Sequence, residues 1–363
     1  MRMCRIDALA SWLLLPGALL AACGCGAATP ARGPADVPDA PGPQVMGWVP
    51  AYGIEQSLQS LEALPGMGRA LTRIGLQFWN PGPDGRTLVF APVDATGRPV
   101  SPADVERLQR WAHAHRVQTF LTVYNNSQVI NRWDWPMARR AFVDHRDEFV
   151  AALVAAVDAW HFEGVDVDFE GEGDFEADRA PYASFVAALS AALKAHGKRL
   201  TIDSFHSPCD NAPNMRWWAD WRGQVDAIHT MGYADLYEGS TQSFKPEGRP
   251  VCENGAALFR YSWQLQYGLQ AGYRRDQIVM GMPTWVDTWG SGGLGTTAAD
   301  HLREVRALGA GVALWDLQLQ APGWSRASTW EAVQAVRHPV TAAAELAGAH
   351  VSPAHMMASQ RAR

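Results

Sequence analysis

Between His161 and Glu176 the chain reads HFEGVDVDFEGEGDFE, seven acidic side chains in sixteen residues, with a histidine as the one group able to offset them. Val165, Val167 and Phe169 alternate with Asp166, Asp168 and Glu170, the two-residue period of a β-strand. Such a strand carries three carboxylates on one face, successive members about 6–7 Å apart. If that face is buried, desolvation and mutual repulsion must raise at least one pKa and force protons to be shared. Fold stability gains nothing from that arrangement. Catalysis does, because an acid kept protonated near neutral pH can protonate a leaving group. Two other readings stay open: an oxygen-rich site for a divalent cation, and a loop of solvated acids, against which the alternating Val, Val and Phe argue. For Glu172, Asp174 and Glu176, beyond the strand, a solvated loop is the expectation.

The elements around this segment suggest what positions it. Strand-like apolar runs occur at 45–50, 71–79, 117–124, 164–170, 199–205, 225–233, 277–283 and 311–317, with helix-like periodic stretches between them. Ser101 and Pro102 form a helix start, as N-cap and first helical residue. A long helix is predicted over 137–159, just before the acidic strand, and another over 181–198, closing on Gly197. Eight strand–helix units over about 295 residues predict an α/β fold of the (β/α)8 TIM-barrel type. The alternative, a doubly wound open sheet, would want a Gly-rich phosphate loop after the first strand, and VPAYGIEQS lacks one. In a barrel Asp166, Asp168 and Glu170 share the interior, with Glu170 at the C-terminal end where barrel enzymes build their sites.

The chain has 363 residues, 47 % of them hydrophobic and 19 % charged, enough for a large core. A net charge of −6 speaks against a nucleic-acid partner. Sixteen tryptophans exceed what a core usually needs. Trp133, Trp135, Trp217, Trp218, Trp221, Trp285 and Trp289 all follow strands, where indoles could stack on flat, partly apolar rings. Arg2 and Arg5 precede ALASWLLLPGALLAAC, the layout of an export signal. LLAAC resembles the bacterial lipobox, with Cys23 as the lipid-bearing residue; an ordinary signal peptide cut nearby is the alternative. Gly24 follows, so the aspartate of inner-membrane retention is absent. The expected layout is a lipoprotein signal over 1–22, a Pro/Gly/Ala-rich tether over 23–43, the barrel over 44–340 and a loose tail over 341–363. The expected address is the cell envelope, at the outer membrane if the host has one. Cys209 and Cys252 would form one disulfide in an oxidising compartment or remain two free thiols.

EGVDVDFE resembles the D-G-x-D-x-D-x-E signature of glycoside hydrolase family 18, the chitinase and endo-β-N-acetylglucosaminidase family, in which it forms the fourth strand of a (β/α)8 barrel. Glu170 matches the general acid, Asp168 the aspartate two before it and Asp166 the inner aspartate. Glu163 stands where the family has aspartate. MGWVPAY, with Trp48, is similar to the family's first strand. VDAIHTMGYAD is similar to the sixth, which places the Met-x-Tyr pair on Met231 and Tyr233. The family's next aspartate is here Ala234, with Asp235 one position later. IVMGMPTW, ending at Trp285, is similar to the seventh strand. GVALWDL is similar to the eighth and puts Trp315 where the family has the tryptophan beneath the sugar at the cleavage point. The third strand departs most: TVYNN, Thr122 to Asn126, replaces Ser-x-Gly-Gly.

The resemblance implies substrate-assisted hydrolysis with retention, an exception to the two-carboxylate scheme. Glu170 would protonate the glycosidic oxygen while the sugar's own 2-acetamido oxygen attacks C1. Asp168 would orient the acetamido N–H and share a proton with Asp166, and Tyr233 would donate to the acetamido oxygen. Trp315, Met231, Asp235, Trp48 and Trp285 are the substrate-binding candidates. No cofactor and no metal are expected, and the partner is a polysaccharide or oligosaccharide, met by a monomer that touches a membrane through its lipid anchor only. Chitin, peptidoglycan and N-glycan cores all remain open. The rival readings are a carbohydrate-binding protein on an idle barrel of this type, which would usually lack the acid that Glu170 supplies, and a metal-dependent hydrolase. Asp203 on the fifth strand is a further candidate for substrate contact. His206 and His229 are read as structural residues near the mouth.

Overall fold

Runs dominated by valine, isoleucine, leucine and aromatic residues pair edge to edge as parallel strands because helices cover their outer faces. In the computed structural model, which describes residues 37–90, 92, 97–127, 132–173, 175–205, 211–231, 261–284, 298–320 and 322–338, the strands are β1 (Val45–Pro50), β2 (Arg73–Pro81), β3 (Gln118–Tyr124), β4 (Gly164–Asp168), β5 (Arg199–Ser204), β6 (Ala227–Thr230), β7 (Ile278–Pro283) and β8 (Gly311–Trp315). Each is parallel to the next in sequence, and β1 pairs with both β2 and β8, so the sheet closes into a (β/α)8 barrel. At the acidic strand, Asp166 lies level with Thr122 of β3 and Thr201 of β5.

The helices are α1 (Ile54–Ala63), α2 (Pro102–Ala114), α3 (Arg146–Trp160), α4 (Arg179–Ala195), α5 (Tyr261–Gln270), α6 (Ala298–Leu308) and α7 (Ala327–Val336). None of the described helices is long and apolar enough to cross a membrane. Ser101 caps α2 in a reciprocal box with Asp104, and Pro102 opens the helix, as expected. The α4 helix ends before Gly197, whose φ of +70° suits a residue without Cβ. The main core lies between the strands and this helical ring. Val165, Val167 and Phe169 point into it, and Phe169 lies 6.3 Å from Phe149 and 6.2 Å from Phe185 between ring centroids. The opposite face of β4 is thereby committed to the barrel interior.

Two crossovers depart from the sequence expectation. The helix predicted over 137–159 is broken: Trp135–Arg139 is followed by a π-helical stretch, Arg140–Asp144, and a non-helical His145 before α3 begins. The wide turn shifts the helical phase, so that Phe142 meets Trp135 and Tyr182 at 5.4 and 5.3 Å. Between β5 and β6 the helical segment among the described residues is the short 3-10 stretch Met215–Trp221. Trp217, Trp218 and Trp221 are buried there, with Trp217 and Trp221 5.6 and 5.5 Å from Tyr182. With the equally buried Trp135 they belong to the core and do not line a sugar cleft.

At the N-terminal end of the barrel the chain docks earlier than residue 44. Val37 is buried, and its N–H donates to Glu163 Oε1 at 3.1 Å. Gln118 Nε2 donates to the Val37 carbonyl, and Arg199 pairs with Asp39. Glu163 also accepts from the Thr119 N–H and hydroxyl at 2.7 and 2.9 Å. The glutamate at this position is a clamp on the bottom of the barrel, far along the strand from Glu170. Cys23, Cys209, Cys252, His206, Tyr233, Asp235, Trp285 and Trp289 lie outside the described residues.

Candidate active site

The interior carboxylates need partners within the barrel, and β1 supplies the first. Gly75 on β2 leaves room for the Trp48 indole, since a Cβ there would stand 2.6 Å from Thr122 Oγ1 and 2.8 Å from Trp48 Cδ1. Trp48 Nε1 donates to Asp166 Oδ2 at 2.8 Å, as does Thr122 Oγ1 at 3.2 Å. Thr201 Oγ1 donates to Asp166 Oδ1 at 2.6 Å, and His229 Nδ1 lies 3.1 Å from the same oxygen. Burial alone would push the Asp166 carboxyl up, but the His229 ring and the hydrogen bonds from His229, Thr201 and Trp48 hold it below the ordinary carboxylate range. Trp48, read from the sequence as substrate-binding, is 2 % exposed and is spent on Asp166. It supports the site from beneath.

One strand pleat nearer the mouth, Asp168 has fewer donors. Gln77 Nε2 donates to its Oδ2 at 2.7 Å, and its other hydrogen-bond partner is the Glu170 carboxyl. Burial, followed by the charge of Asp166, raises Asp168 to about 7. Burial and the neighbouring Asp168 likewise hold Glu170 well above the ordinary range. The two side chains form a coupled pair that keeps a proton where isolated carboxyls would have lost it. Asp168 is thus the hydrogen-bond partner of Glu170, while both Asp166 oxygens accept from Trp48, Thr122 and Thr201.

Glu170 sits two residues past the end of β4, so the barrel's own ladder does not fix it. Asn125 does. Its Nδ2 donates to the Glu170 carbonyl and its Oδ1 accepts from the Glu170 N–H, both at 2.8 Å. The TVYNN departure in the third strand therefore places a buried amide that pins the main chain of the acid. Asn125→Ala is expected to destabilise the fold by about 1–3 kcal/mol through two unpaired backbone groups, and to lower turnover more than it weakens substrate binding. Thermal melts together with separate kcat and KM values check this; a variant unchanged in both would contradict it.

At the mouth, Trp315 is half-buried and its ring lies 5.7 Å from Trp48. Met231 is buried at the end of β6. Tyr52, after β1, is the most exposed large hydrophobic side chain among the described residues at 47 %, and its hydroxyl donates to Asp316 Oδ2 at 3.3 Å. The buried Asp316 is held from behind by the Gln318 N–H and side-chain amide at 2.8 and 2.9 Å. Neither Tyr52 nor Asp316 stands out in the sequence, since each is one residue in an ordinary strand-to-loop junction.

Asp203 on β5 is 3 % exposed and faces His229 Nδ1 on the neighbouring β6 at 2.8 Å. Ligand atoms of Asp166, Asp203 and His229 all lie within 4.8 Å of one another, a spacing that metal ligands also share. The donor set fits hydrogen bonding better. His229 Nδ1 already bridges the two carboxyls, and both Asp166 oxygens accept from neutral donors.

The family model "Glycosyl hydrolases family 18" matches residues 116–338. Among solved structures, a chitinase from Chromobacterium violaceum superposes with a TM-score of 0.59 at 16 % identity, covering 81 % of this chain and 98 % of that one. The Bacillus cereus spore cortex-lytic enzyme SleL gives 0.58 at 13 % identity, over 81 % and 74 %. Catalytic domain 2 of an Ostrinia furnacalis Group II chitinase, a mutant in complex with (NAG)5, gives 0.55 at 15 % identity, over 76 % and 90 %. At these identities the likeness is one of fold. No curated protein matches the sequence.

Proposed function

This chain belongs to glycosyl hydrolase family 18, and from that premise we propose that it hydrolyses a glycan containing β-linked N-acetylhexosamine, with Glu170 as general acid and base and the substrate's own acetamido group as nucleophile. The observation that carries the reading is the coupled Asp168–Glu170 pair at the C-terminal end of β4, proton-rich and set above an Asp166 that stays ionised. A proton retained at Glu170 is available to the glycosidic oxygen as the bond to C1 breaks. With that proton given up, Asp168 can turn from Glu170 to the acetamido N–H and stabilise the positive charge that grows there as its carbonyl oxygen closes on C1. The oxazolinium ion so formed is opened by water, from which Glu170 recovers its proton, and the β-configuration is retained.

The remaining parts follow from position. Trp315 offers an indole face at the mouth, and Tyr52, whose hydroxyl donates to the next residue after Trp315, Asp316, an exposed ring, the apolar surfaces on which sugar rings stack. Tyr233 and Asp235 enter the proposal on the sequence alone, as donors to the acetamido and neighbouring groups. That a chitinase and a spore cortex-lytic enzyme share the barrel supports an N-acetylglucosamine polymer as the substrate class, chitin-like or peptidoglycan-like. The test is release of fluorophore from 4-methylumbelliferyl N-acetylglucosamine oligomers by the purified protein. Binding of such oligomers with no release would replace the enzyme reading by that of a carbohydrate-binding protein.

A further inference from the structure

The hydrolysis scheme uses Asp166, Asp168 and Glu170, yet the barrel interior holds a fourth carboxyl and an imidazole that the scheme leaves idle. Asp203 of β5 and His229 of β6 face each other across the strand pair at 2.8 Å, and His229 Nδ1 also lies 3.1 Å from Asp166 Oδ1. One ring N–H thus stands before two carboxyl oxygens, in a volume where all three residues are at most 3 % exposed. Two anions cannot share one donor at that depth without severe repulsion. A proton on Asp203, placed between it and Asp166, removes the conflict, and the two carboxyls are within hydrogen-bonding reach of each other. His229 is fixed by packing too, edge-on to the Trp48 indole at 5.3 Å.

Resting on the proposed glycosidase activity, we propose that Asp203 is a positioning residue: as a neutral acid it donates to Asp166 and holds the Nδ1 hydrogen of His229 towards the same carboxylate, so that Asp166 stays ionised and the mobile proton remains with Asp168 and Glu170. The groups that act on this unit come from every side. Asp166 faces it from β4, with Asp168 and Glu170 above, and Tyr182 of α4 lies within electrostatic range of Asp203. The buried Arg73 of β2 acts on Asp166 from the floor of the barrel. Among the described residues His229 Nε2 has no hydrogen-bond partner, and it is buried, so within them the ring is held through Nδ1. Burial and the charge of Asp166 keep Asp203 well above the ordinary carboxylate range, in keeping with a neutral acid.

A neutral acid and an amide have the same shape and the same donor–acceptor order, which makes the test specific. Asp203→Asn can donate to Asp166 through its N–H and accept from His229 through its oxygen. It should keep kcat within about threefold at neutral pH, while the loss of one titrating group moves the alkaline limb of the pH–rate profile. Asp203→Ala should lower kcat by about 10–100-fold, the usual scale for removing an outer partner, with KM changed less than about twofold because the residue touches no substrate. A readout independent of activity is the 15N–1H spectrum of the histidine-labelled protein, with the His229 signal assigned by its loss in His229→Gln. The Nδ1–H signal should persist in the asparagine variant and shift or vanish in the alanine variant. An asparagine variant as impaired as alanine in a folded protein, or a His229 signal identical in all three, would overturn the proposal. If the protein cleaves no glycan, the spectra still decide the positioning role, and only the glycosidase reading falls.

Discussion

Glu170→Gln is expected to abolish cleavage of N-acetylglucosamine oligosaccharides, with a loss on the order of 10²–10⁴-fold, the range general acid catalysis supplies. Glutamine keeps the volume of the side chain and can still hydrogen-bond Asp168, and the Asn125 clamp on the residue's main chain is untouched. Fold and substrate affinity should therefore persist, so that kcat falls while KM changes little. The size of the effect should depend on the leaving group. A methylumbelliferyl ether departs without much protonation, so its cleavage should suffer less than that of a sugar–sugar bond. An equal loss for both would point to a collapsed site, and retained activity would remove Glu170 from the role of acid.

The second large effect is thermodynamic and comes from Asp168. Its folded pKa of about 7 lies above the ordinary carboxyl value because burial and Asp166 disfavour the charged form. Between the two values the folded protein binds a proton that the unfolded chain has released. This contribution to stability is complete below the unfolded pKa and is lost as pH rises through the folded one. The wild-type protein should thus be more stable in mild acid than in mild alkali. In Asp168→Asn the penalty disappears, and at alkaline pH the variant should exceed the wild type by an amount bounded at about 4 kcal/mol, although it loses turnover. Denaturant midpoints across that range check the prediction. A wild-type protein whose stability rises from mild acid to mild alkali, or a variant with the same slope, would contradict it.

Much of this could be read from the sequence because the alternation in VDVDFE has a single physical solution once its apolar face is covered. Val165, Val167 and Phe169 meet α3 and α4, and the acids can only turn inward. The eight strands were legible for the same reason, with their ends off by up to three residues, as where the expected 225–233 is Ala227–Thr230. The tryptophans misled, because an indole after a strand looks alike whether it faces a ligand or packs into the core. Trp217, Trp218 and Trp221 do the latter. The partners of the acids were hidden in another way. Gln77, Asp203 and His229 sit on three strands and Asn125 just past the end of a fourth, and only closure of the barrel brings them to Glu170, Asp168 and Asp166. The stretch that departs from the Ser-x-Gly-Gly pattern, TVYNN, contains Asn125, which holds the main chain of Glu170 in place.

The account stands or falls on the acetamido group acting as nucleophile. The most direct measurement is proton NMR of the first sugar released from a chitin oligosaccharide, before mutarotation, run beside a cello-oligosaccharide of equal length that carries hydroxyl groups in place of acetamido groups. The account predicts the β-anomer from the first substrate and no cleavage of the second. Release of the α-anomer, or comparable cleavage of both, would contradict substrate assistance at the Asp168–Glu170 pair.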